Sequence, residues 1–246
     1  MIGGDVVSTL QIQMIEFNPY TAMEIAWTHN GITHRVAAQR MANVGMIPPL
    51  SEEQLSVLDA EWLEWGPSDS IIFSLLGDSF QLAPFDAEAS TIPVDHVHLI
   101  EELMEISANV FQVEALSEIR PAEDEVTEIW DAAEESEGYE LQFTYNDKLY
   151  RFTARYMGDW YDVDAVLDAL NLALEEAGHS ERFYILFPGD QFITVIFAPE
   201  NTLLQVAEQL YIPIARNSQD AINRAMVYQQ YLSQIMEDDI SETEQD

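Results

Sequence analysis

The chain has 246 residues, of which 45 are Asp or Glu and 9 are Lys or Arg, a formal net charge of −36. This imbalance excludes direct binding to nucleic acid or anionic membranes, both of which need cationic contacts, and favours a basic protein partner drawn in by the field. Hydrophobic residues at 48% and aromatics at 11% supply a packed core, so the chain is not of the low-hydrophobicity disordered class.

In chain order, a strand is expected over about Val7 to Phe17. Met23 to Asn30 alternates apolar and polar residues, with Met23, Ile25 and Trp27 on one face. Asn30-Gly31 and Ile32 to Ala38 follow, which predicts a β-hairpin closed by a type I′ turn. Ser51-Glu52-Glu53-Gln54 reads as a capping box, and Leu55, Leu58 and Trp62 continue at helical spacing until Gly66-Pro67. A second hairpin is predicted from Ile71 to Leu76, turning at Gly77-Asp78 and returning through Ser79 to Ala83. A helix from about Asp95 to Asn109 buries Val97, Ile100, Leu103 and Met104.

The composition turns strongly acidic from Glu114 to Glu140, where Ala122 to Glu137 reads as a helix after Pro121. Strands Tyr139 to Tyr145 and Leu149 to Tyr156 flank Asn146-Asp147-Lys148. A helix over about Val163 to Ala177 is capped by Asp162 and stopped by Gly178. Strands Arg182 to Phe187 and Phe192 to Ala198 flank Pro188-Gly189-Asp190, and helices follow over Thr202 to Leu210 and about Ser218 to Met236. On the last helix Ile222, Ala225, Met226, Leu232 and Met236 form one apolar stripe, and Tyr228, Tyr231 and Ile235 a second. A helix apolar on two sides is sandwiched or offers a homodimer surface.

Glu24 to Gly31 matches Glu140 to Asp147 in polar as well as apolar letters, and Leu75 to Phe80 lies over Phe187 to Phe192. The expectation is an α+β fold of two tandem hairpin-helix-hairpin-helix repeats, with antiparallel sheets each covered by helices around a pseudo-two-fold. The boundaries are 1–112 for the first repeat, 113–138 for an acidic linker helix, 139–236 for the second repeat with its C-terminal helix, and 237–246 for an acidic tail.

Candidate sites are sparse. Asp95-His96-Val97-His98 resembles a metal motif, but on a helix residues two apart diverge, so a cap followed by surface histidines is expected. His29 and His34 read as hairpin-surface or partner-contact residues, and His179 as a turn residue. Asp159, Asp162 and Asp164 form an Asp-rich run that capping explains better than metal binding. No nucleophile elbow, zincin, dinucleotide or phosphate-loop motif is present, and no catalytic residue, metal or cofactor is assigned.

The acidic helix faces carry the most information. Val126, Ile129, Trp130 and Ala133 face Asp124, Glu128, Asp131 and Glu135 across one helix. Val163, Val166, Leu167, Leu170 and Leu174 face Asp164, Asp168, Asn171 and Glu175 across the other. Carboxylates four apart rise ~6 Å, close to the ~6.8 Å between alternate phosphates of one DNA strand. Most surface helices mix signs; these do not. Asp124, Glu128, Asp131, Glu135, Asp164, Asp168 and Glu175 are therefore the expected partner-binding residues.

The function expected is a non-enzymatic acidic inhibitor that occludes a basic nucleic-acid-binding or nuclease surface, of the immunity or antidefence type. One alternative is an adaptor binding a client segment, since the element order is similar, in topology alone, to that of secretion chaperones. The other is a salt-adapted protein. No cysteine, no apolar bilayer-length run and no N-terminal signal pattern are present, so a cytoplasmic location in a bacterium or a virus-infected host cell is expected.

Overall fold

The structure, a computed structural model, describes residues 19–68, 70–77, 81–89, 92–120, 138–186, 191–217 and most of 219–234. The strand expected over 7–17, the helix over 122–137 and the tail 237–246 lie outside the described residues. The chain divides into two compact units. One comprises Met1–Ser79, Thr202–Ile214 and Gln219–Asp246, and the other Phe80–Asn201 and Ala215–Ser218. The architecture is mixed α+β with two antiparallel sheets. Among the described residues no helix is long and apolar enough to cross a membrane.

The first unit opens with α1 (Pro19–His29), α2 (His34–Asn43), α3 (Glu52–Trp65) and α4 (Ser70–Gly77). The hairpin expected over 23–38 is therefore a helix pair. Ala22, Met23, Ala26 and Trp27 are buried and Ile25 is 40% exposed. That i, i+1, i+4, i+5 pattern belongs to a helix, not to a two-residue repeat. Asn30-Gly31 ends α1 instead of turning a hairpin. Gly31 takes a left-handed φ of 61°, and the Ile32 N–H donates to the Trp27 carbonyl at 2.8 Å.

The hairpin expected over 71–83 fails for the same reason. Ile71, Ile72, Leu75 and Leu76 are buried on α4, again at helical spacing. The α3 cap is as expected: Ser51 Oγ accepts from the Gln54 N–H, and the Gln54 side chain accepts from the Ser51 N–H at 2.9 Å. The unit is stitched by side chains reaching backbone. Trp27 Nε1 donates to the Leu210 carbonyl at 2.6 Å, Arg40 to the Gln209 carbonyl at 2.8 Å, and the Tyr228 hydroxyl to the Ile212 carbonyl at 2.9 Å.

The second unit carries β1 (Gln81–Asp86), α5 (His96–Ile106), β2 (Glu114–Ile119), β3 (Tyr139–Tyr145), β4 (Lys148–Ala154), α6 (Val163–Glu176), β5 (Glu181–Leu186) and β6 (Phe192–Pro199). Helix α7 (Glu200–Leu210) follows, its residues from Thr202 onward belonging to the first unit, and the short β7 (Ile214–Ala215) comes after it. One sheet has the order β1-β6-β5-β7 and the other β2-β3-β4. The β3–β4 hairpin forms where the sequence places it, but its turn is Asn146-Asp147 alone, both at positive φ as a type I′ turn requires, and Lys148, expected in the turn, pairs with Tyr145 as the first residue of β4. β1 pairs with β6, from Gln81 opposite Phe197 to Asp86 opposite Phe192. Residues 24–31 are thus helix and turn, whereas 140–147 are strand and turn. The matched letters do not build a repeated hairpin. α5 packs on β1, β2 and β6, and α6 on β4 and β5, so both helices share one core with both sheets.

Candidate functional site

Helix α6 carries the expected acidic face that falls within the described residues. Its apolar side, Val163, Val166, Leu167, Leu170 and Leu174, is buried. Asp168 and Glu175 are exposed and Asp164 is half-buried. Asp124, Glu128, Asp131 and Glu135 lie outside the described residues. Burial raises the Asp168 pKa, a hydrogen bond from Asn217 opposes this, and the nearby Asp164 carboxylate raises it further. Asp164 and Asp168, four residues apart on the helix, share one face.

One expectation about this face needs correction. Asn171 does not point to solvent: it is buried, donating to the Phe183 carbonyl at 2.9 Å and accepting from the Phe183 N–H at 2.8 Å. It acts as a polar rivet between α6 and β5, satisfying two backbone groups that burial would otherwise penalise. The outward position between Asp168 and Glu175 is Leu172, 51% exposed, so the carboxylate row is interrupted by an apolar residue.

The sign of charge is uniform well beyond α6. Of the helices α1 to α7 only α2 carries arginine. Glu64, Glu105, Glu175, Glu176 and Glu208 occupy the last turns of α3, α5, α6 and α7. There the helix macrodipole disfavours carboxylates. The cations are engaged internally. Arg35 pairs with Glu52 and Asp59, Arg120 with Asp95 and Glu118, Lys148 with Glu176, Arg155 with Asp162, Arg216 with Glu200 and Arg224 with Asp220. Arg40 and Arg182 are bound to backbone carbonyls. Among the described residues Arg151 alone has no such partner; it lies on the outer face of the β2-β3-β4 sheet beside Gln142 and Thr153.

Within the Asp-rich run Asp162 has a structural role. Asp162 caps α6 through the Ala165 N–H and is 1% exposed. Burial pushes its pKa up, but the Arg155 guanidinium and the Arg155 and Ala165 N–H groups outweigh this and hold it below the usual carboxylate value.

The second correction concerns His96, expected at the surface and found wholly buried. Asp95 does cap α5, accepting from the His98 N–H at 3.2 Å, and His98 does face solvent. His96 instead points inward and joins three elements. The Asp162 N–H donates to its Nε2 at 3.2 Å, which leaves Nδ1 to donate to Glu118 Oε1 at 2.8 Å. Glu118 also accepts from Arg120, which reaches Asp95 at 2.8 Å. Tyr139 and Tyr161 close on the imidazole edge-to-face, at 4.6 and 5.6 Å between centroids. A carboxylate orienting a histidine is also a catalytic arrangement, but here both ring nitrogens are taken up within the protein. The network is a buried polar hub whose members satisfy one another.

His34 is the third correction. It is 2% exposed, on a helix, packed edge-to-face on Trp27 and Trp62. It lines a cavity of about 590 Å³ in the first unit. The alternating reading of 23–38 hid this site; the helical spacing of His34 with Ala37, Ala38 and Met41 was the signal for it. Among the described residues no group of three or more His, Asp or Glu side chains is placed to hold a metal ion. No protein-family model, no curated protein and no solved structure matches this chain.

Proposed function

We propose that this chain is a non-enzymatic binding protein for a basic partner, occluding a nucleic-acid-binding or nuclease surface. The observation that supports this reading is the single-sign character of helices α3, α5, α6 and α7. Carboxylates stand exposed on α3, α5, α6 and α7 without one Lys or Arg, even in last turns where the macrodipole makes them unfavourable. An acidic surface tuned only for stability would place cations there. Asp164, Asp168 and Glu175 form the described part of the docking face, and Leu172 among them supplies an apolar contact. Charged rims speed encounter and buried apolar anchors hold the complex.

The test is capture from a source lysate at low and high salt, followed by assay of the recovered protein. A recovered nuclease or nucleic-acid-binding protein that is inhibited by the chain and released by salt supports the reading. Asp164→Asn, Asp168→Asn and Glu175→Gln combined should weaken that binding several-fold. Recovery of no basic partner, or binding indifferent to the triple substitution, overturns it.

A further inference from the structure

The cavity bounded by α2, α3 and α4 is built around a buried histidine. Both ring nitrogens of His34 are buried and have no hydrogen-bond partner among the described residues. An N–H of the ring can rest on an indole π face, and Trp62 stands perpendicular to it at 5.3 Å. The bare nitrogen is an acceptor only and needs a donor. Glu61, Trp65, Pro67, Ile71 and Ser74 complete the wall. Glu61 lies close enough to act on the imidazole electrostatically, and Trp65 is 73% exposed, with an open indole surface.

These features select a ligand class. An anion is disfavoured by Glu61 and by the net charge of −36. A purely apolar ligand would leave the bare His34 nitrogen without a donor. A cation rich in N–H groups answers both the carboxylate and the lone pair. A planar one also stacks on an indole, which an ammonium cannot do as well. We infer that this cavity is a binding site for an alkylguanidinium group, with Glu61 and His34 accepting its N–H donors and Trp65 covering its face. Two sources carry this group, a free small molecule and an arginine side chain of a protein, and the test separates them. The site lies in the first unit and uses none of the docking residues Asp164, Asp168 and Glu175 of the second.

The test uses the full chain, titrated with methylguanidinium while the His34 ring nitrogens are followed by NMR. The expected result is a saturable shift at His34, absent with methylurea, the neutral isostere. Glu61→Gln should weaken binding roughly tenfold or more, the loss of a charge-assisted hydrogen bond. Trp65→Ala, at an exposed position, should weaken it with the fold intact by circular dichroism. No saturable shift at His34, equal response to methylurea, or unchanged affinity in both folded variants overturns the site. Tighter binding of a capped arginine peptide than of methylguanidinium assigns the group to a protein side chain; equal binding assigns it to a free ligand.

Discussion

Arg155 holds Asp162 in a two-point clasp, Nε to Oδ2 and Nη2 to Oδ1, each at 2.8 Å, while its own backbone N–H binds the same carboxylate. The pair joins the end of β4 to the first turn of α6, seven residues on. The clasp is one-sided in exposure: the Asp162 side chain is 1% exposed and that of Arg155 66%. Solvent therefore screens the cation but not the anion, and the two partners differ in what their removal does.

Arg155→Met is expected to cost ~1 kcal/mol, because the exposed guanidinium is screened and the two N–H groups still serve Asp162. Asp162→Ala should cost ~3 kcal/mol, removing a helix cap and the anchor of Arg155 together. The Asp162 pKa is depressed in the folded state, so its stabilisation is present above the unfolded value of about 3.9 and is lost as pH falls through the folded value. Urea unfolding should show the Arg155→Met deficit steady from pH 6 to 8 and shrinking below about pH 4. A deficit unchanged at acid pH would show that the clasp is not the cause.

Asn171→Leu keeps volume but strips both hydrogen bonds from Phe183. Two buried backbone groups losing partners predict a loss of ~2–4 kcal/mol, read as a lower urea midpoint with unchanged slope. A cost under ~0.5 kcal/mol would mean that the rivet is dispensable.

Burial lowers the His34 pKa, with Glu61 opposing. A depressed base destabilises the folded chain as pH falls from the unfolded value of about 6.5 through the folded value, because the unfolded chain takes the proton more readily. His34→Phe, which fits between Trp27 and Trp62 without polar atoms, should match or exceed the parent stability at pH 7.5. It should gain further on the parent at pH 5.5. Parallel stabilities at the two pH values would contradict this account, and the same variant should abolish methylguanidinium binding.

Glu175→Lys places a cation in the last turn of α6, where the macrodipole favours it, and reduces self-repulsion. It should raise stability by ~0.3–1 kcal/mol at low salt, with the gain fading as sodium chloride rises. If the acidic face serves a basic partner, the same change weakens that complex. Thermal melts and binding measured on one preparation would show both movements, and a stabilised variant with undiminished binding would separate the charge from the partner.

Local rules were legible in the letters. The Ser51–Gln54 capping box, the β3–β4 hairpin, the Asp162 cap and the buried stripe of α6 all rest on contacts between near neighbours, and each stands where the letters place it. The charge excess on the helices was equally plain, since it needs no fold to be counted. What the tertiary structure decided were the ambiguous runs. Met23 to Trp27 and Ile71 to Leu76 fit either an alternating strand or one helical face, because a short apolar run satisfies both periods. Packing chose the helix by burying Ala22 and Ala26 alongside Met23 and Trp27, and Ile72 and Leu76 alongside Ile71 and Leu75, pairs that alternation would have set on opposite faces. The partner of β1, the inward turn of His96 and the cavity at His34 depend on residues far apart in the chain, and such pairings are settled only when the core closes around them.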